Sequence, residues 1–227
     1  LPATCSRREL HEVVALLREV TERDLGLLAL RRDPRHDRIP PARRDDLVDA
    51  ALRCGAEAAD TVAAPFHADD VLRRHGITLV EEPTADVPGL VVLATYTATR
   101  RGGVVRLSTT VLDRLGDVED VLGLPRLAIR DAVVAHEVFH HVETHTPGIV
   151  TQRAHVTTGP RLRRRRPVRA LSEIAAHAFA RRVVGVPYSP RVLEVVAAYV
   201  TDADLGRALV AEVADLRRPV GPRPPAP

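Results

Sequence analysis

Ala132-Val133-Val134-Ala135-His136-Glu137-Val138-Phe139-His140-His141 is the stretch around which the rest of the chain can be organised. Its helical pattern runs from Pro125, a residue suited to a helix start, to about Thr144. On a helix, side chains four apart stand above one another, so His136 and His140 share a face. That spacing lets two imidazoles bind one tetrahedral zinc ion (Zn2+), with Glu137 beside it as general base. Zinc held this way lowers the pKa of its water to about 7. Glu137 would then take a proton during attack on a carbonyl and pass it to the leaving amine. The alternative is an ordinary amphipathic helix with two histidines. The valines around the motif weigh against it, because buried imidazoles and a carboxylate need a partner.

A catalytic zinc requires a third protein ligand and an open position. Ser172-Glu173-Ile174-Ala175-Ala176-His177-Ala178-Phe179-Ala180 reads as a second helix, small enough on one side to pack closely on the first. Glu173 and His177 are four apart and share a face. Glu173 is the preferred third ligand, with His177 as alternative ligand or as the group that orients a ligand imidazole. Glu143 lies a turn beyond His140, where it would support the site or be exposed. His141, His145, His155 and Tyr188 are weaker candidates for stabilising an oxyanion.

Outward from the motif, Ser6-Arg7-Arg8-Glu9 predicts a capping box opening a helix to about Leu30. Residues 33 to 43, with three prolines, read as a linker, so residues 1–44 form an N-terminal helical extension. A helix from about Asp45 to Val62 and a short one from Ala68 to His75 follow, the latter stopped by Gly76. Ile77–Val80, Gly89–Tyr96 and Val104–Ser108 are β-type runs, the last two joined at a turn containing Arg101. The segment from Thr146 to Pro167 reads as loop, and a helix from about Val168 to Val184 follows. The expected fold is α+β: a small, mainly antiparallel sheet of about three strands against the motif helix, with further helices around them. Residues 45–190 would be the metallopeptidase domain, 191–218 C-terminal helices, and the Pro-rich 219–227 a disordered tail.

Composition excludes several classes. Two cysteines, Cys5 and Cys54, do not make a disulfide framework. No apolar run reaches membrane-span length, and the charged first twenty residues do not read as a signal peptide. The expected location is the cytoplasm. The formal charge of +3 becomes −2 without Arg161, Arg163, Arg164, Arg165 and Arg166. The chain is therefore basic in one stretch only, and direct nucleic-acid binding is not expected.

The residues quoted above, together with Val186-Pro187 and the strand at Val104–Ser108, resemble the ImmA/IrrE-type metallopeptidases over roughly residues 45 to 190. The resemblance implies His136, His140 and Glu173 as zinc ligands and Glu137 as the catalytic residue. It also implies a protein or peptide substrate such as a transcriptional repressor. The family's Asn or Asp is replaced here by His177, and the connection between the two motifs is long and basic. If Val104–Ser108 formed a sheet edge beside the zinc, a peptide could pair with it. The competing expectation is a non-catalytic regulatory or binding protein whose metal is structural.

Overall fold

In the computed structural model, residues 6–62, 66–100, 102–146, 149, 151, 155–158 and 164–216 are described. The first helix, α1 (Arg7–Arg18), starts as its sequence dictates: Ser6 Oγ accepts from the Glu9 backbone N–H at 3.1 Å. It does not run on to Leu30. Thr21 Oγ1 caps a separate helix, α2 (Glu22–Arg32), by accepting from the Asp24 N–H. The cap-forming Thr21-Glu22-Arg23-Asp24 was legible, but the continuing leucine periodicity masked it. The expected linker is a packed connection: it holds a short 3₁₀ turn (His36–Arg38) and a fully buried Ile39. Helix α3 (Pro41–Ala59) begins on a proline, and α4 (Ala68–Arg74) ends before Gly76, whose φ of 62° suits glycine.

The chain is α+β. Strands β1 (Ile77–Glu82), β2 (Ala94–Thr99) and β3 (Gly102–Ser108) form one sheet in the order β1-β3-β2. β2 and β3 are an antiparallel hairpin, with Tyr96 opposite Val105, while β1 runs parallel to β3, with Leu79 opposite Val105. A parallel pair needs a long crossover, and residues 83–101 supply it by way of β2. β3 is thus the central strand, with Val105 and Leu107 fully buried, and cannot be the edge considered for peptide pairing. Among the described strands the edges are β1 and β2. The apolar run before β2 is mostly not strand: residues 89–93 form a loop with Leu90 exposed.

Helices α5 (Thr109–Gly116) and α6 (Glu119–Leu122) lead to α7 (Arg126–His145), the motif helix. Within the segment expected to be loop, β4 (His155–Thr158) and β5 (Arg164–Pro167) pair antiparallel as a ribbon. Arg161, Arg163, Cys5, Arg101 and the 219–227 tail lie outside the described residues, as does the His155 side chain.

Helix α8 (Arg169–Val184) packs on α7 through Phe139 and Phe179, whose ring centroids are 5.7 Å apart. On its other side α3 approaches so closely that a side-chain carbon at Gly55 would overlap the Ala175 carbonyl. The absence of a side chain at Gly55 is what permits this contact. The helix starts at Val168, which has no capping side chain. The buried Asp33 supplies the acceptor instead, its Oδ2 taking the Ala170 N–H at 3.0 Å. Helices α9 (Arg191–Thr201) and α10 (Ala203–Leu216) complete the fold. Leu10, Leu17 and Leu30 belong to the same buried cluster as Phe139, Phe179 and Tyr199, so α1 and α2 share one core with α7, α8 and α9. No described helix is long and apolar enough to cross a membrane.

Candidate metal centre

α7 presents His136 and His140 to the N-terminal part of α8, where Glu173 sits one turn in. His136 Nε2 is 3.2 Å from Glu173 Oε2 and 3.3 Å from His140 Nε2, and His140 Nε2 is 3.7 Å from Glu173 Oε1. The three ligand atoms lie within 4.8 Å of one another. Two imidazole nitrogens this close to each other and to a carboxylate need a proton or a cation between them. The donor set of two neutral nitrogens and one carboxylate oxygen suits zinc with one position left open. Sequence spacing and geometry therefore bring together the same three residues.

The far side of His140 is equally ordered. Ser172 Oγ donates to Glu143 Oε2 at 2.5 Å and lies 3.2 Å from His140 Nδ1, so it can accept that nitrogen's proton. This leaves the Nε2 lone pair facing the centre, the arrangement a metal-binding histidine needs. Glu143 is thus a support for His140, and Ser172, read from sequence only as a small packing residue, is the link between them.

Glu137 is 7% exposed on the same helix turn. Burial pushes its carboxyl up, against the pull of His136 and His140 and with help from Glu173 and Glu194. A base raised toward neutrality fits proton transfer. Burial opposes charge on His136, yet the hydrogen bond to Glu173 and the fields of Glu137, Glu173 and Glu194 raise it to about 9. Desolvation likewise opposes ionisation of the half-exposed Glu173, but the His136 hydrogen bond and the charges of His136, His140 and His177 bring it down to about 2. The cluster is therefore built to hold positive charge.

His177 is buried beside His136, ring centroids 4.5 Å apart, with its Nε2 3.1 Å from Glu194 Oε1. The ligand atoms of His136, His177 and Glu194 also lie within 4.8 Å of one another. His177 does not join His140 and Glu173 in one such group. Glu194, on α9, was missed from sequence because nothing in its local pattern distinguishes it from a helix-surface carboxylate.

Other candidates fall away from the centre. His141 is buried on the opposite side of α7, where Tyr96 Oη contacts its Nδ1 at 2.9 Å. His145 stacks on His141 and contacts that residue's carbonyl through Nδ1. Tyr188 donates its hydroxyl to the Leu122 carbonyl.

The centre opens into a cavity of about 670 Å³, bounded by β2 and the loop before it, α7, and the α9 and α10 helices. Apart from the cluster itself its walls are mostly apolar, with Leu90, Leu93, Val133, Leu193 and Leu209 among them. Volume and lining are those of a site for an organic ligand. Compared with protein-family models, with curated proteins and with solved structures, the chain matches none.

Proposed function

We propose that the chain is a zinc-dependent endopeptidase of the ImmA/IrrE type, acting in the cytoplasm on a regulatory protein such as a transcriptional repressor. The observation that carries this reading is the convergence of His136, His140 and Glu173 within 4.8 Å, beside buried Glu137, at the floor of a large open cavity. Zinc bound there would polarise the scissile carbonyl and acidify a water molecule. Glu137 would accept the proton of the attacking water and return it to the departing nitrogen. Ser172 and Glu143 hold His140 in the tautomer that binding requires. β2, paired on one side only among the described strands, offers main-chain groups to an extended peptide, and the adjoining apolar wall takes its side chains.

Two features favour catalysis over a structural ion. His177, the available fourth donor, stands outside the group formed by His140 and Glu173. The cavity also leaves the centre accessible, where a structural site would be closed.

The test is Glu137→Gln. Zinc content should stay at wild-type stoichiometry while peptide cleavage falls about 10²- to 10⁴-fold. Full activity in that variant would overturn the assignment.

A further inference from the structure

The two imidazole ligands are backed differently, and the difference exposes a residue with no assigned role. Behind His140 stand Ser172 and then Glu143, a small polar link followed by a carboxylate. Behind His136 stands His177, tilted 57° against it, followed by Glu194. Each ends in an acid, but the first link differs: Ser172 reaches His140 Nδ1 at hydrogen-bond distance, whereas His177 meets His136 through a ring contact alone.

His177 is 6% exposed, and neither of its ring nitrogens has a hydrogen bond of good geometry. Its Nε2 nevertheless sits 3.1 Å from Glu194 Oε1. A buried imidazole leaves such contacts poor only at a cost, which small adjustment of Glu194 removes. Arg191, 3.7 Å from Glu194 Oε2, holds the carboxylate from behind. A second cation at this triad is disfavoured because it would have to share the His136 ring already committed to His140 and Glu173.

We propose that Glu194 is a positioning residue that works through His177 on His136. Its carboxylate accepts the Nε2 proton of His177, fixes that ring's tautomer and tilt, and so clamps His136 in the orientation its metal-binding nitrogen requires. The intermediary imidazole provides reach: it bridges from α8 to a carboxylate on α9, where a short side chain at position 177 would stop short. This rests on the zinc-site reading of His136, His140 and Glu173.

The experiment is competition for zinc between the metal-free protein and a chromogenic chelator. Glu194→Gln should weaken zinc binding about 10- to 100-fold, and Glu194→Asp should recover part of the loss. His177→Asn, which breaks the contact from the other side, should weaken it to a similar degree. Adding Glu194→Gln to His177→Asn should then cost less than about threefold, because the link is already cut. Zinc affinity within twofold of wild type in Glu194→Gln or in His177→Asn overturns the proposal. So does an equal loss from Glu194→Gln in both backgrounds, which would mark a general charge effect. Failure of the underlying reading looks different: the wild-type protein itself would take up no zinc.

Discussion

His140 and His141 are neighbours in the chain and opposites in the fold. One faces an open cleft with three carboxylates about it. The other faces the sheet, packed against His75, His145 and Tyr96. On the cleft side His136, despite burial, is raised to about 9 by Glu173, Glu137 and Glu194. On the sheet side burial, with His145 and His75 adding to it, pushes His141 down to about 4. Desolvation acts on both; the acids decide the outcome. A histidine-rich helix is therefore not a metal site by virtue of its histidines. The side that gathers carboxylates attracts cations, and the other repels them.

The largest effect expected from breaking this contrast is at Glu173. Removing its charge with Glu173→Gln deletes a proposed ligand and the main acid beside His136. Zinc affinity should fall by more than the roughly 100-fold that supporting residues command, as read by the same chelator competition. Affinity near wild type would mean that the two sides of α7 do not differ as described.

Proton competition gives the next effect. His136 must lose its proton to bind a metal. With its folded pKa raised from 6.5 to about 9, zinc affinity should climb up to about tenfold per pH unit across that interval. Calorimetry in buffers of different ionisation enthalpy should detect about one proton released per ion at neutral pH. The same group sets an alkaline limit on the metal-free protein. A raised pKa contributes stability that is complete below 6.5 and lost as pH rises through 9. Glu173, lowered to about 2, contributes stability present above 4.5 and lost as pH falls through 2.

The sheet side predicts the reverse for His141. Its depressed pKa means that the unfolded chain binds a proton more readily, so stability is retained above 6.5 and declines as pH falls toward 4. His141→Phe should remove on the order of 2 kcal/mol of this acid sensitivity. Urea unfolding at pH 7.5 and 4.5 measures it, and an unchanged pH dependence would contradict the buried neutral ring. Smallest is Tyr96→Phe, which deletes the hydroxyl contact to His141 and should cost about 1 kcal/mol at pH 7.5, with no change in zinc affinity.

Local signals carried much of this. The i, i+4 histidines, the small-residue helix around Glu173 and the cap at Ser6 are written in spacings of three and four residues, the range over which a helix arranges its own side chains. The α+β class followed from alternating and helical periodicities. Glu194 and Ser172 were not legible as supports, because their roles depend on which helices pack together. The placement of β3 at the sheet centre was equally hidden: strand order is decided by pairing across the chain, and β1, which takes one of its sides, precedes it by a crossover. The α1–α2 break failed for another reason. A cap at Thr21 competes with a leucine pattern that crosses it undisturbed, and periodicity alone cannot register the interruption.

Asp33 has a consequence of its own. The helix that carries Glu173 borrows its opening acceptor from a residue 137 positions earlier in the chain. Glu173 lies one turn beyond that borrowed bond. A fragment beginning at Asp45 would retain every donor atom of the centre yet leave the start of α8 free to fray. The geometry of the proposed centre is thus partly written outside the segment that contains its donor residues.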